Sequence, residues 1–328
     1  MGVSWRSTLI ELHLHLDGSV SPAMARDLAR IDGHDLGLTD DELVARLSVG
    51  EGCRDLNEYL EKFAFPCSLL QTREQLTASV RMLQDELLAE GVIYAEVRFA
   101  PQKHCERGLS QRQVVEAALE GLAGSPLEAR LILCCMRGDD NREQNLETVR
   151  VAAEFLDGGV VAVDLAGAEA LFPTEGFADV FALARELGVP ATIHAGEAAG
   201  PESVRAALGL GAVRIGHGVR SAEDPALLAE LAARGVHCEI CPSSNLNTCV
   251  FGNYEDVPLR ALMAAGVPVS VSSDNRSVSR TSAANEMEAL IAAHHLTDDE
   301  VRAILRSSAD AAFADETTKA RLRDRILS

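Results

Sequence analysis

The stretch Glu11-Leu12-His13-Leu14-His15-Leu16-Asp17-Gly18 alternates polar and apolar residues, the period of a β-strand in which every second side chain shares a face. His13 and His15 therefore point one way while Leu12, Leu14 and Leu16 point the other. Two imidazoles on one face can share a metal ion, although an ordinary half-buried strand with hydrogen-bonded histidines has the same pattern. The rest of the chain separates the two readings. His194 in Thr192-Ile193-His194-Ala195-Gly196-Glu197, His217 in Arg214-Ile215-Gly216-His217-Gly218 and Asp274 in Ser272-Ser273-Asp274-Asn275 each end a short apolar run, where a strand stops and a loop begins.

Outward from that first strand, Ser21-Pro22 places an N-cap and a first-turn proline ahead of a helix through Arg30. Leu56, Leu60, Phe63, Phe65 and Leu69 then recur at roughly helical spacing between Asp55 and Leu70, an excursion too long for a simple crossover. It reads as an apolar cover over the mouth of a site, or as plain core. Beyond it, Ala/Leu-rich amphipathic helices end on glycines (Gly91, Gly159, Gly188, Gly211, Gly235 and Gly266), a residue suited to the left-handed turn after a helix. Each glycine precedes a Val-rich strand, near 92–99, 160–165, 191–194, 213–217, 237–241 and 267–272. From Gly159 onward the glycines are spaced 29, 23, 24 and 31 residues apart, the length of one strand plus one helix.

With a strand at 130–135 and the opening strand, the count reaches eight. Alternating strands and helices with apolar strands predict a parallel sheet covered by helices, and eight units predict a (β/α)₈ barrel of α/β class with extra helices between the first and second strands. One domain over residues 1–328 is expected, since such barrels often run to about 250 residues or more. No Gly-x-Gly-x-x-Gly follows an early strand, so a dinucleotide fold gains no support.

The chain carries 30 Lys+Arg against 50 Asp+Glu, a net charge of −20. Nucleic acids and anionic membranes both demand a basic surface, so neither is an expected partner. Aromatics make up 4% of the residues and hydrophobic residues 47%, so the core must be mostly Ala, Leu and Val. Eight cysteines in a chain of this length, with no signal-like start, fit reduced thiols in the cytoplasm. No apolar run is long enough to span a bilayer.

In parallel barrels the chemistry sits at the C-terminal ends of the strands. His13, His15, His194, His217 and Asp274 all fall there, and closure makes the first and eighth strands neighbours. Three imidazoles and a carboxylate suit one divalent ion such as zinc, with a position left for water. Glu197, three residues past His194, is assigned as general acid/base; a helix-capping role is the alternative. His217 is a fourth ligand, a water-orienting group or a structural histidine.

A binuclear site bridged by a carboxylated lysine is disfavoured, because the only lysines are Lys62, Lys103 and Lys319 and none lies on the fourth strand. The His-x-Glu with Pro-Cys-x-x-Cys type of zinc deaminase does not fit either. Cys238 and Cys241 are three apart in a strand and face opposite ways, so they read as buried thiols, as do Cys134 and Cys135.

The ordered set His13-Leu14-His15-Leu16-Asp17-Gly18, Tyr94-Ala95-Glu96-Val97-Arg98-Phe99-Ala100-Pro101, Asp164-Leu165-Ala166-Gly167, His194-Ala195-Gly196-Glu197, Gly216-His217-Gly218, Cys241-Pro242-Ser243-Ser244-Asn245 and Ser273-Asp274 resembles the adenosine deaminase family over nearly the whole chain. The resemblance implies one zinc ion on His13, His15, His194 and Asp274. It implies hydrolytic deamination of adenosine and 2′-deoxyadenosine by attack of metal-bound hydroxide at purine C6. Glu197 would protonate N1, with His217 and Asp274 orienting the attacking group. Substrate contacts are implied at His15, at Asp17 to the ribose, at the Gly167 N–H to N3 and at Asn275 to N7; Leu60, Phe63 and Phe65 match an apolar lid. Many members carry Asp where this chain has Asn275, and often an acidic residue where it has Ala168. Adenine, aminodeoxyfutalosine and a modified adenosine are the alternative substrates, and a non-catalytic purine-binding protein is the alternative class.

Overall fold

A computed structural model describes residues 5–50 and 52–327. Eight strands follow the chain: β1 (Leu9–His15), β2 (Val92–Phe99), β3 (Glu128–Met136), β4 (Val160–Ala166), β5 (Thr192–Ala195), β6 (Arg214–His217), β7 (His237–Ile240) and β8 (Val269–Val271). All pair in parallel with their sequence neighbours, in the orders β1-β2-β3-β4 and β5-β6-β7-β8. The two halves meet through single bridges, Val163 with Ala191 and Leu14 with Asp274. The architecture is thus the expected (β/α)₈ type, but its hydrogen-bond ladder is not continuous round the ring. β5 to β8 are only three or four residues long, and β8 ends before it can pair with β1.

The second seam has a functional consequence. The chain just past β8 takes the place of a strand: His15 N–H donates to the Asp274 carbonyl at 2.8 Å, and Asp274 N–H to the His13 carbonyl at 2.9 Å. Asp274 adopts a left-handed φ of 57° there, a conformation that costs a non-glycine residue about 1–3 kcal/mol. Backbone pairing of the chain's two ends thus carries the carboxylate to the histidine pair.

The β1–β2 crossover holds α1 (Pro22–Ile31), α2 (Asp40–Leu47), α3 (Leu56–Leu60), α4 (Ala64–Ser68) and α5 (Arg73–Ala89). α1 starts as expected: Ser21 caps it by accepting from Met24 N–H, with Pro22 in the first turn. α3 and α4 are joined by a 3₁₀ turn, Glu61–Phe63, and lie across the end of the barrel where the strands terminate. Between strands and outer helices the core is Leu, Val, Ile and Ala with few aromatics. Among the described residues no helix is long and apolar enough to cross a membrane. All eight cysteines are free, and Cys134, Cys135, Cys238 and Cys241 are buried.

Candidate active site

At the C-terminal mouth of the barrel, His13 Nε2 lies 3.0 Å from His194 Nε2, and His15 Nε2 lies 3.3 Å from it. Asp274 Oδ1 is 3.4 Å from both His13 Nε2 and His15 Nε2. Two ligands bound at ordinary zinc distances in a tetrahedron are separated by about 3.3 Å, so the spacing is that of a coordination shell. Gly216 makes the approach possible: a Cβ there would stand 3.0 Å from His13 Cε1 and 3.2 Å from His194 Cα.

Buried carboxylates back two of the imidazoles. His13 Nδ1 is 2.8 Å from Glu239 Oε2, and His194 Nδ1 is 2.8 Å from Asp164 Oδ2. A carboxylate accepts, so His13 Nδ1 carries the proton and its Nε2 turns a lone pair inward; His194 Nδ1, close to Asp164 but without an aligned hydrogen bond, is held by charge proximity instead. Asp274 Oδ1 is buried with no hydrogen-bond partner. Three converging imidazole Nε2 atoms beside an unsatisfied carboxylate oxygen fit a divalent cation. A second set, His13, His217, Cys241 and Asp274, also falls within 4.8 Å, but Cys241 Sγ is taken up by the Glu239 carbonyl at 3.4 Å.

His217 stands beside this cluster. It has a left-handed φ of 59°; its Nε2 is 3.6 Å from Glu197 Oε1 and 4.0 Å from Asp274 Oδ2 and has no hydrogen-bond partner. Burial holds the pKa of His217 well below the usual range, and the neighbouring His13 adds to this. Burial pushes the Glu197 carboxyl well above its ordinary range, and the negative charges of Asp274 and Glu169 push the same way. Asp17, also buried, is raised to about 6.

These groups open into a cavity of about 470 Å³ whose wall includes His15, Asp17, Gly167, His194, Glu197, His217, Asp274 and Asn275. Its roof is apolar: Leu60 and Phe63 face it as expected, joined by Leu56 and Tyr59. Phe65, expected in the lid, does not. Its ring packs on the main core beneath the Arg46 guanidinium, 5.5 Å from the ring centre. Two residues apart on a helical segment, Phe63 and Phe65 point to nearly opposite sides.

Two further sets of residues shape the site. Arg98, fully buried, donates to Asp164 Oδ2 at 2.9 Å, Glu239 Oε2 at 2.8 Å and the Leu12 carbonyl at 2.7 Å. Arg214 reaches Glu239 Oε1 at 2.7 Å and Glu96 Oε2 at 2.6 Å. The signal was a charge within an otherwise apolar strand, repeated at Glu96, Arg98, Asp164, Arg214 and Glu239. Glu169 forms the second set alone. Its carboxylate accepts from the N–H groups of Gly196, Glu197, Ala198 and Ala199 at 2.6–3.0 Å and from Ser203 Oγ at 2.6 Å. No local pattern marks such a residue, because its partners arrive from the next loop.

A parallel (β/α)₈ barrel with imidazoles and a carboxylate gathered at its strand ends is the arrangement of a metal-dependent hydrolase. The family model for adenosine deaminase matches residues 9–328. The adenosine deaminase of Haemophilus ducreyi is 47% identical over 320 residues, covering 95% of this chain and 93% of that protein; the enzyme of Enterococcus faecalis is 38% identical, covering 97% and 95%. Among solved structures, an adenine deaminase from Arthrobacter aurescens superposes with a TM-score of 0.88 at 28% identity, covering 98% of each chain. The chain belongs to the adenosine deaminase family.

Proposed function

We propose that this protein hydrolyses adenosine, and 2′-deoxyadenosine, to the inosine nucleoside and ammonia, as a cytoplasmic enzyme using one zinc ion per chain. The observation that carries the reading is the convergence of His13, His15 and His194 Nε2 with the unpartnered Asp274 Oδ1, beside the buried Glu197, whose carboxyl burial pushes well above its ordinary range. Those four side chains would hold the zinc, which when bound lowers the pKa of a water molecule to roughly 7.

The chain's own residues supply the rest. Glu197, whose hold on a proton is strengthened by burial and by neighbouring carboxylates, donates to purine N1 as C6 is attacked. That removes aromatic character where the new bond forms. His217 Nε2, facing both Glu197 and Asp274, orients the attacking water, and the Glu197 carboxylate left after N1 is protonated takes up the water's proton and passes it to the leaving amine. The Gly167 N–H meets N3, Asn275 donates its amide to N7, and His15 and Asp17 line the substrate's path, with Asp17 meeting the ribose. Leu56, Leu60 and Phe63 exclude bulk water from the reacting face.

A free nucleoside is preferred over a nucleotide on a structural ground. Of the two cations in the cavity wall, Arg137 is already spent on the carbonyls of Phe172 and His194 and the Thr174 hydroxyl. That leaves Lys103, which shares the cavity wall with the acidic Asp17 and Glu106, a poor phosphate cradle. The test is ammonia release by purified, zinc-loaded protein from adenosine, deoxyadenosine, adenine, AMP and aminodeoxyfutalosine. Adenosine and deoxyadenosine should give the highest kcat/KM; a higher value for adenine or AMP overturns the assignment.

A further inference from the structure

Apart from sets that include His13 and Asp274, one group of metal-ligating side chains gathers among the described residues: Asp17, Cys67 and His104, whose donor atoms lie within 4.8 Å of one another. Asp17 starts the turn after β1, Cys67 lies in α4, and His104 ends the 3₁₀ turn after β2. Three separate segments thus bring sulfur, nitrogen and oxygen to one place. Cys67 Sγ is 3.7 Å from Asp17 Oδ2; a thiolate and a carboxylate on one tetrahedral zinc are about 3.5 Å apart.

His104 supplies an independent observation. It is fully buried, and its Nδ1 lies 3.1 Å from the Leu70 carbonyl. A carbonyl only accepts, so Nδ1 holds the proton and Nε2 the lone pair. That Nε2 has no hydrogen-bond partner, and a buried acceptor left idle calls for a ligand or a reason. Asp17 and Cys67 themselves face the cavity, so a cation could enter from the substrate side and keep an open position there.

We propose a second, inhibitory metal site on Asp17, Cys67 and His104, selective for a thiophilic divalent cation such as Zn²⁺ or Cd²⁺. Binding exchanges the Cys67 S–H bond for a metal–sulfur bond and releases one proton to solvent. The inhibitory part rests on the function proposed above: Asp17, which meets the ribose, is withdrawn from substrate, so cation and nucleoside compete. A site of this kind senses excess metal at the point where substrate enters.

Sulfur separates the two sites experimentally, because the His13, His15, His194 and Asp274 set has none. Protein carrying one zinc per chain by elemental analysis is titrated with Cd²⁺ alone. One further equivalent should bind with the ultraviolet charge-transfer band of a cadmium thiolate while the zinc is retained, and turnover should fall in step. C67S should abolish the band, and H104N should keep it while weakening binding about tenfold or more. Absence of the band under conditions that leave the zinc in place, or an undiminished band in C67S, overturns the proposal. The band reports the site whatever the substrate proves to be, so its failure is distinguishable from failure of the adenosine assignment. Inosine, the product, should raise the Cd²⁺ concentration needed for half-saturation.

Discussion

Two layers of polar side chains fill the barrel interior, and they differ in how far their hydrogen-bonding capacity is used. In the inner layer, Glu239 accepts from Thr192, Arg214, His13 and Arg98. Asp164 likewise accepts from the backbone of Leu165 and His194 and from Arg98, with His194 Nδ1 also in contact. Their oxygens have little capacity left. In the outer layer Asp274 Oδ1 and His217 Nε2 are buried and have no partner at all. Carboxylates with every lone pair engaged can only orient their neighbours. Groups left idle in the same low-dielectric interior are where a cation, a water and a substrate can be bound.

The largest effect separating the layers is expected at Glu197. Glu197→Gln keeps shape and hydrogen bonding but removes the transferable proton, so kcat should fall about 10²- to 10⁴-fold with zinc content unchanged by elemental analysis. Near-normal turnover in metal-replete protein would remove Glu197 from the chemistry.

Asp164→Asn tests the inner layer. The neutral amide leaves Arg98 short of a counter-charge and gives His194 Nδ1 no obligate acceptor, so metal affinity should drop about 10- to 100-fold. Breaking a buried ion pair should also cost about 3–5 kcal/mol of stability. Chelator competition measures the first and denaturant unfolding the second. If metal affinity holds while stability falls, the inner layer serves the fold alone.

The contrast between layers also explains what could be read in advance. The outer layer was visible because each residue stands at a strand end, where the alternation of Leu12, Leu14 and Leu16 with His13 and His15 breaks into Asp17-Gly18. Strand positions followed from the same punctuation, and β2 fell on residues 92–99 as expected. The inner layer lies within strands buried on both faces, so periodicity gives no hint of which charge meets which. Arg98 finds Asp164 and Glu239 across the ring, 66 and 141 residues away. The seam was hidden for a similar reason: nothing local says that β8 stops at Val271 and that Asp274, with a left-handed backbone, completes the pairing. Phe65 turns away because, two residues from Phe63 on a helical segment, it cannot share that residue's face.

Glu169 belongs to neither layer and should show an intermediate effect. One carboxylate gathers the four N–H groups of the loop that carries Glu197. A glutamine offers a single acceptor oxygen and turns donors toward donors. Glu169→Gln should therefore displace Glu197 rather than the metal, lowering kcat by up to about 10²-fold, the cost of a misplacement near 1 Å, with zinc content unchanged. A parallel loss of zinc would instead make Glu169 a support for His194.

The smallest effect is expected where the outer layer meets the base. The Asn275 amide packs so closely over Gly18 that a Cβ there would lie 2.0 Å from Asn275 Oδ1, which holds the side chain against the cavity wall. Its NH₂ can donate to purine N7 without first being protonated, as an aspartate would need to be. Asn275→Ala removes one neutral hydrogen bond, worth about 0.5–1.5 kcal/mol, so kcat/KM for adenosine should fall several-fold while metal content stays constant. A substrate lacking N7 never makes the bond, and the 7-deaza analogue should lose nothing further in the variant. The ratio of the two rates therefore isolates the contact from any general loosening of the site. If the ratio is the same in variant and wild type, Asn275 does not read N7, and the outer layer's idle groups serve the reacting carbon alone.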